Sequence, residues 1–434
     1  MAGSRRYIAA SDFCASVRDG THDSPKPVTY GRRLVTSRHL TTGRLDLSEA
    51  YLISESDYEA INKRSKVNRW DVLISMIGTV GEPCLIKEEP DFAIKNIGLF
   101  KTKSEVDGKW LYYYLRSKEA QQSIRAHSRG TTQQYIPLGA LRDFPILVTD
   151  DAEEQRAIAH VLGTLDDLIE LNRETNEILE EMARALFKSW FVDFDPVRAK
   201  LEGRPPSGMY AATAKLFPDH FQDSELGQIP KGWEVSTIGQ KLKTILGGTP
   251  SRARSEFWTN GSIPWINSGK TNEFRIIEPS EWITAEALEK SATKLLPSRT
   301  TVLAITGATL GQVSIAEIEC CANQSVVAIL ASQEFPTEYI YHWIKENIEK
   351  LVASQTGGAQ QHINKGNVEE LFMLCPNQLV VSAFTELVRP MFDAICANLH
   401  ESSDLAALRD TLLPKLLSGE VSVPAAEELI AATK

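Results

Sequence analysis

No run of about 18 apolar residues occurs anywhere in this chain, so no segment is expected to cross a bilayer as a helix. The opening residues, MAGSRRYIAA, lack the apolar stretch of a secretory signal, and a cytoplasmic location is expected. The six cysteines, Cys14, Cys84, Cys320, Cys321, Cys375 and Cys396, form no CxxC pair and have no histidine at metal-ligand spacing. Reduced thiols in packed positions are expected, and no metal site. Catalytic signatures are missing too. There is no Walker lysine loop, no GxGxxG, no HExxH and no GxSxG. Asp193-Phe194-Asp195-Pro196 has proline and aromatic in the wrong order for the Asn/Asp-Pro-Pro-Tyr/Phe loop of adenine methyltransferases, and reads as a helix stop. No nuclease-like set of acidic residues with lysine is recognisable. The expectation is a non-catalytic chain that binds no cofactor itself.

What is present is a globular composition, 42 % hydrophobic and 24 % charged, in 434 residues, enough for two or three domains. The net charge of −10 is unevenly spread. Residues 1–150 hold 22 Lys and Arg against 18 Asp and Glu, whereas 151–200 hold 6 against 12. A binding footprint is local, so a mildly basic first region leaves nucleic acid open as a partner despite the acidic total.

The chain repeats itself. Gly130-Thr131-Thr132-Gln133-Gln134-Tyr135-Ile136 is echoed by Gly357-Gly358-Ala359-Gln360-Gln361-His362-Ile363, an offset of 227. The same offset pairs Asn96 with Asn323, Tyr112 with Tyr339, Val161 with Val388 and Asp166 with Asp393. Shared order at a near-constant offset indicates duplication. Each copy opens with short β-prone runs broken by Gly and Pro (71–76; 301–306 and 325–330) and closes on a helical stretch. In copy one, Ile158, Val161, Leu165, Leu168, Asn172, Thr175, Leu179, Met182 and Leu186 fall at alternating three- and four-residue steps, flanked by Glu170, Glu174, Glu177 and Glu181. In copy two, Val388, Met391, Ile395, Leu399, Ser402, Leu405, Leu412 and Leu416 form a comparable seam. Two amphipathic helices packed on separate domains would show this pattern, but length and polar outer faces favour a coiled coil between them. Pro196, Pro205 and Pro206 are expected to end the first helix, Ser418-Gly419 the second, and the chain from Pro424 to fray.

Candidate contact residues lie in equivalent polar loops. Asp19-Gly20-Thr21-His22 opens the first copy after Arg18, and Gly247-Gly248-Thr249-Pro250-Ser251-Arg252 opens the second. Thr21, His22, Thr249, Ser251, Arg18 and Arg252 suit phosphate or base-edge contacts, although Asp-Gly and Gly-Gly are equally signals of a plain turn. Arg129 with Gln133 and Gln134, and Gln360 with Gln361, precede each helix; Gln can bond adenine, and Arg guanine, in two places at once. Capping or packing is the competing role for those glutamines. Arg32, Arg33, Arg38 and Arg44, with Lys63, Arg64, Lys66 and Arg69, are a candidate phosphate surface or a solvated face. Tyr112-Tyr113-Tyr114 and Trp343 are expected to pack a helix rather than stack on bases.

Over nearly its whole length the chain resembles the specificity subunit of type I restriction–modification enzymes. Asp19-Gly20-Thr21-His22 and Gly247-Gly248-Thr249-Pro250-Ser251 resemble the openings of its target-recognition domains, and Ile229-Pro230-Lys231-Gly232-Trp233 the lead-in to the second. Glu153-Glu154-Gln155-Arg156-Ala157-Ile158 through Leu186-Phe187-Lys188-Ser189-Trp190-Phe191 resembles its central helix, and Leu412-Leu413-Pro414-Lys415-Leu416-Leu417-Ser418-Gly419 its C-terminal one. Ser382 stands where the offset places the counterpart of Gln155, so the second helix start matches less well. The resemblance implies an α+β fold of two similar mixed α/β target-recognition domains separated by two long antiparallel helices forming a coiled coil, a pseudo-twofold internal repeat. The corresponding boundaries are 1–150 (first recognition domain), 151–200 (central helical spacer), 201–374 (linker and second recognition domain) and 375–434 (C-terminal helical spacer and tail). It further implies that each domain reads half of a bipartite site in double-stranded DNA, and that the helices dock two methyltransferase subunits. S-adenosylmethionine, ATP and Mg would be used by those and by separate ATP-dependent restriction subunits. Residues 165–190 would span roughly 39 Å as helix at about 1.5 Å per residue, near the roughly 34 Å of one DNA turn. Two other readings fit the same chain: an unrecognised methyltransferase or nuclease, and a coiled-coil scaffold or orphan subunit without active partners.

Overall fold

The computed structural model describes residues 4–41, 43–130, 134–354 and 363–432. The chain forms two compact units, one of Met1–Glu170 with Ser403–Lys434, the other of Leu171–Ser402.

In the first unit, strands Ser16–Asp19, Ile97–Lys101, Val72–Ser75 and Pro83–Leu85 lie side by side in that order, all antiparallel. A second sheet runs Leu52–Ile53, Arg32–Thr36, Phe92–Lys95, and its last pair is parallel. Arg5–Ala9 pairs with Pro145–Thr149. Val72–Ser75 is buried at every position, which is why its sequence is a continuous run rather than an alternation. Helix Glu105–Arg116 starts where Ser104 accepts from the Asp107 N–H and buries Trp110, Leu111 and, as expected of the tyrosines, Tyr112-Tyr113-Tyr114.

The second unit repeats this plan strand for strand. Thr244–Leu246, Val326–Ile329, Thr300–Ala304 and Val313–Ala316 form its four-stranded sheet, and Glu281–Ile283, Ile263–Ile266, Cys321–Ala322 its three-stranded one. Here too the last pair is parallel. Glu234–Thr237 with Phe372–Cys375 corresponds to the outer pair, and helix Thr337–Ser354 carries the buried Tyr339 and Trp343. The architecture is α+β with an internal duplication, as expected.

Two long helices, Ala152–Phe191 and Gln378–Ser418, run through this plan. Within the first unit, Ile158, Val161, Leu162 and Leu165 share a core with Leu405, Leu412, Leu413, Leu416 and Leu417, and Arg409 donates to Asp166 at 2.5 Å. Within the second, Ala183 and Phe187 pack with Val380, Val381 and Phe384, and Asn398 donates to Asn176 at 2.8 Å. Early residues of one helix meet late residues of the other in each unit, which is antiparallel packing. Phe187 and Phe191 both contact Tyr339 and Phe384, with ring centroids 5.0–5.8 Å apart. Such pairs contribute about 0.5–1.5 kcal/mol each beyond area burial.

Three expectations need correcting. After Asn172 the buried positions are Asn176, Glu180, Ala183 and Phe187, one residue later than the expected Thr175, Leu179, Met182 and Leu186; Met182 is 49 % exposed. Two successive four-residue steps follow the helix's own 3.6 period, whereas a strict heptad drifts by about 20° per repeat. Pro196 does more than end a helix, because it sits in the first turn of a new one, Asp195–Leu201, where a missing N–H costs nothing. The tail is not frayed: Val423–Ala432 is a helix that buries Ala426 and packs Ile430 on the first unit's core, with Pro424 in its first turn.

Candidate nucleic-acid interface

The opening loop of the first unit is built against its own sheet. A Cβ on Gly20 would lie 2.4 Å from the Ile94 carbonyl oxygen, and the Gly20 N–H donates to Ile97 O at 2.9 Å. The glycine is therefore required by the neighbouring strands rather than by an external partner. Thr21 exchanges backbone bonds with Ile94 and Asn96, at 3.0 and 3.1 Å. Asn96 takes a left-handed turn, φ 55°, which asparagine tolerates better than most residues. Around this turn the candidates converge. His22 Nδ1 lies 2.9 Å from Asn96 Oδ1, and its Nε2 3.0 Å from Asp19 Oδ2. Arg64 donates to buried Asp19 at 2.5 Å, and Arg18 donates to the Arg64 carbonyl at 2.6 Å. Ser37 donates to Asn96 O at 3.0 Å, placing Arg38 beside the turn. Arg18, His22, Arg38 and Arg64 are all exposed there. On the adjacent strand, Arg32 pairs with Glu55 at 3.2 Å and covers the Tyr58 ring, while Arg33 is exposed.

In the second unit the equivalent loop meets the equivalent turn. Cβ atoms on Gly247 and Gly248 would fall 2.0 Å from Asn323 O and 2.7 Å from Ala292 C. Thr249 donates to Gln324. Ser251 is exposed, and its carbonyl accepts from the Trp258 indole at 3.2 Å. Arg252 is already engaged, with both terminal nitrogens donating to Glu281.

The segments before each helix dock on the strand-to-loop junction. Arg129 and Tyr135 exchange backbone bonds of 2.8 Å, the Gln134 carbonyl accepts from Gly78 N at 3.2 Å, and Ile136 N donates to Met76 O. The Gln134 residue is exposed. Ile363 N donates to Ile305 O in the same way. Gln133, Gln360 and Gln361 lie outside the described residues. Sequence reading missed Tyr30, which is 88 % exposed two residues before Arg32, and the organising role of Asn96, whose repeat partner Asn323 was the available signal.

A cluster of strongly perturbed titratable groups lies elsewhere, inside the second unit. Tyr341 and Arg275 donate to Glu180, both at 2.7 Å, and Lys345 at 3.4 Å. Burial alone would raise the Glu180 carboxyl, but Arg275 and its neighbours hold it down to about 2. Burial pushes His342 down to about 3. Glu180, Arg275, Tyr341 and His342 are all buried, so the cluster fastens the central helix to the α/β fold.

A family described as the type I restriction modification DNA specificity domain matches residues 35–181 and again 230–377. The chain belongs to that family. It is 30 % identical over 325 residues to the MjaIX specificity subunit of Methanocaldococcus jannaschii, covering 74 % of this chain and 71 % of the relative. Against the HindI specificity subunit of Haemophilus influenzae it is 27 % identical, covering 72 % and 77 %. Its fold matches a crystal structure of a type I restriction–modification S subunit from M. genitalium with a TM-score of 0.57, at 16 % identity, over 95 % of this chain and 96 % of that one. This specificity chain thus carries its DNA-recognition domain twice. Among the described residues no helix is long and apolar enough to cross a membrane.

Proposed function

We propose that this chain directs a type I restriction–modification complex to a bipartite site in double-stranded DNA, each α/β domain reading one half. Two recognition folds with the same strand order, each opening on a polar loop over an Asn turn, carry this reading. The long helices dock two methyltransferase subunits, and ATP-dependent restriction subunits join that assembly. The chain itself is non-catalytic: S-adenosylmethionine is used by the methyltransferase partners, ATP and Mg by the restriction partners, all in the cytoplasm. Specificity is then a sum of terms of about 1–3 kcal/mol per base pair read. Methylome sequencing of cells expressing this chain with a type I methyltransferase subunit tests the proposal. Adenine methylation in one split motif, lost when the chain is omitted, is expected. A stable complex that creates no motif would leave a scaffold instead.

A further inference from the structure

Around their opening loops the two recognition domains hold several of their cations differently, although Arg32 and Arg64 of the first are paired and exposed Lys243 and Lys294 of the second have no carboxylate partner among the described residues. In the first, Lys26, Arg33, Arg38, Lys63 and Lys66 are exposed, and among the described residues none has a carboxylate partner. The last four belong to one neighbourhood. Arg33 sits on strand Arg32–Thr36, Arg38 follows that strand, and Lys63 and Lys66 close helix Glu55–Ser65, which packs on the adjoining strand Phe92–Lys95. No Asp or Glu occurs between Asp23 and Asp46. The opening loop of the second domain is the reverse case. Arg252 is held by Glu281, Arg254 by Glu256 and Glu286, Lys290 by Glu286, and nearby Lys270 by Glu273.

This difference has a thermodynamic consequence. Phosphate binding gains free energy by releasing counterions condensed on DNA, and only a cation not already neutralised delivers the full release. An arginine bound to glutamate must give up one partner to take the other, and exchanging exposed ion pairs changes little. We propose that the first recognition domain supplies most of the salt-dependent phosphate attraction of this chain, and that the second engages DNA nearly free of it. The proposal rests on the DNA-reading function above and assigns its electrostatic part.

The test is equilibrium binding of a random-sequence DNA duplex by the chain in complex with its methyltransferase partner, between about 50 and 200 mM salt. A random sequence isolates the phosphate contribution from base reading. R33Q/R38Q/K63Q/K66Q is expected to reduce the slope of log affinity against log salt by about 3 to 4, at about 0.9 per phosphate contact. R252Q/R254Q/K270Q/K290Q is expected to change it by less than about one. Seven of the eight side chains are exposed and that of Lys270 is partly buried, and unchanged melting temperatures would show that both variants fold. Equal reductions, or a larger one from the second set, would overturn the assignment while leaving DNA reading intact. A wild-type complex whose binding is insensitive to salt also overturns it. Failure of the wild-type complex to bind any duplex would remove the DNA reading, and this proposal with it.

Discussion

Both terminal nitrogens of Arg252 lie 2.6 Å from the carboxylate oxygens of Glu281, and its guanidinium centre sits 3.5 Å from the Trp258 ring centroid. The fork that could take a guanine edge is thereby occupied by an internal carboxylate. Replacing Glu281 with Gln removes the charge and leaves the stacked arginine in place. The expected result is tighter binding at low salt and a slope steeper by about 0.9, since one more cation reaches phosphate. Adding R252Q should abolish the gain. An unchanged slope in E281Q would show that Arg252 faces no DNA.

Gly247 is fixed by space. Its missing Cβ would fall 2.0 Å from Asn323 O and 2.6 Å from Ala322 O. Gly247→Ala must push two backbone segments apart, an overpacking cost of about 1–3 kcal/mol. For a unit of this size each kcal/mol lowers the melting temperature by about 2–4 °C. Gly139→Ala is the control, because its Cβ would meet nothing within 4 Å and alanine favours helix. Calorimetry should show G247A destabilised and G139A unchanged or slightly stabilised. Equal melting of G247A and wild type would refute the close approach.

Duplication was legible because residues at one offset fall on equivalent elements. The runs 71–76 and 301–306, slightly shifted from that offset, overlap Val72–Ser75 and Thr300–Ala304, which occupy the same place in their sheets. The helix seam was legible only to Asn172. Beyond it the buried positions include Asn176 and Glu180, which hydrophobic periodicity does not register, and the Glu180 partners Arg275 and Tyr341 are 95 and 161 positions away. The candidate loops were found by residue type, whereas the state of each cation was hidden. Whether Arg64 or Arg252 is paired depends on Asp19 and Glu281, at separations of 45 and 29 residues that only the sheets bring together.

Glu180 and Arg275 are oppositely charged, buried and hydrogen-bonded at 2.7 Å. Removing one partner strands the other, so Glu180→Gln and Arg275→Met should each cost about 3–5 kcal/mol. The double variant removes both charges of the pair, although Lys345 loses Glu180 and Glu317, its side chain 5 % exposed, loses Arg275, and it should cost less than the sum of the singles. Urea denaturation of the four proteins gives the coupling. Additive losses would mean the pair does not fasten the central helix to the fold.

His342 gives the pH dependence its sign. Its ring is buried against Phe187, Phe384 and Phe392, and burial holds it down to about 3, with Arg275 and Lys345 lowering it further and Glu180 opposing them. The unfolded chain protonates this imidazole near 6.5. Below that value the unfolded state binds a proton that the folded state refuses, so stability falls as pH drops, by up to about 1.4 kcal/mol per unit. Glu180 acts in a lower window. Its folded value of about 2 lies below the ordinary carboxylate range, so its contribution is present above roughly 4.5 and lost toward 2. The interval from about 6.5 to 4.5 therefore isolates the histidine from Glu180. His342→Phe should remove one proton's worth of slope there and raise stability at pH 5 relative to wild type, because phenylalanine fits the ring cluster without a proton to refuse. Parallel stability-against-pH curves for the two proteins would show that His342 is protonated in the folded state.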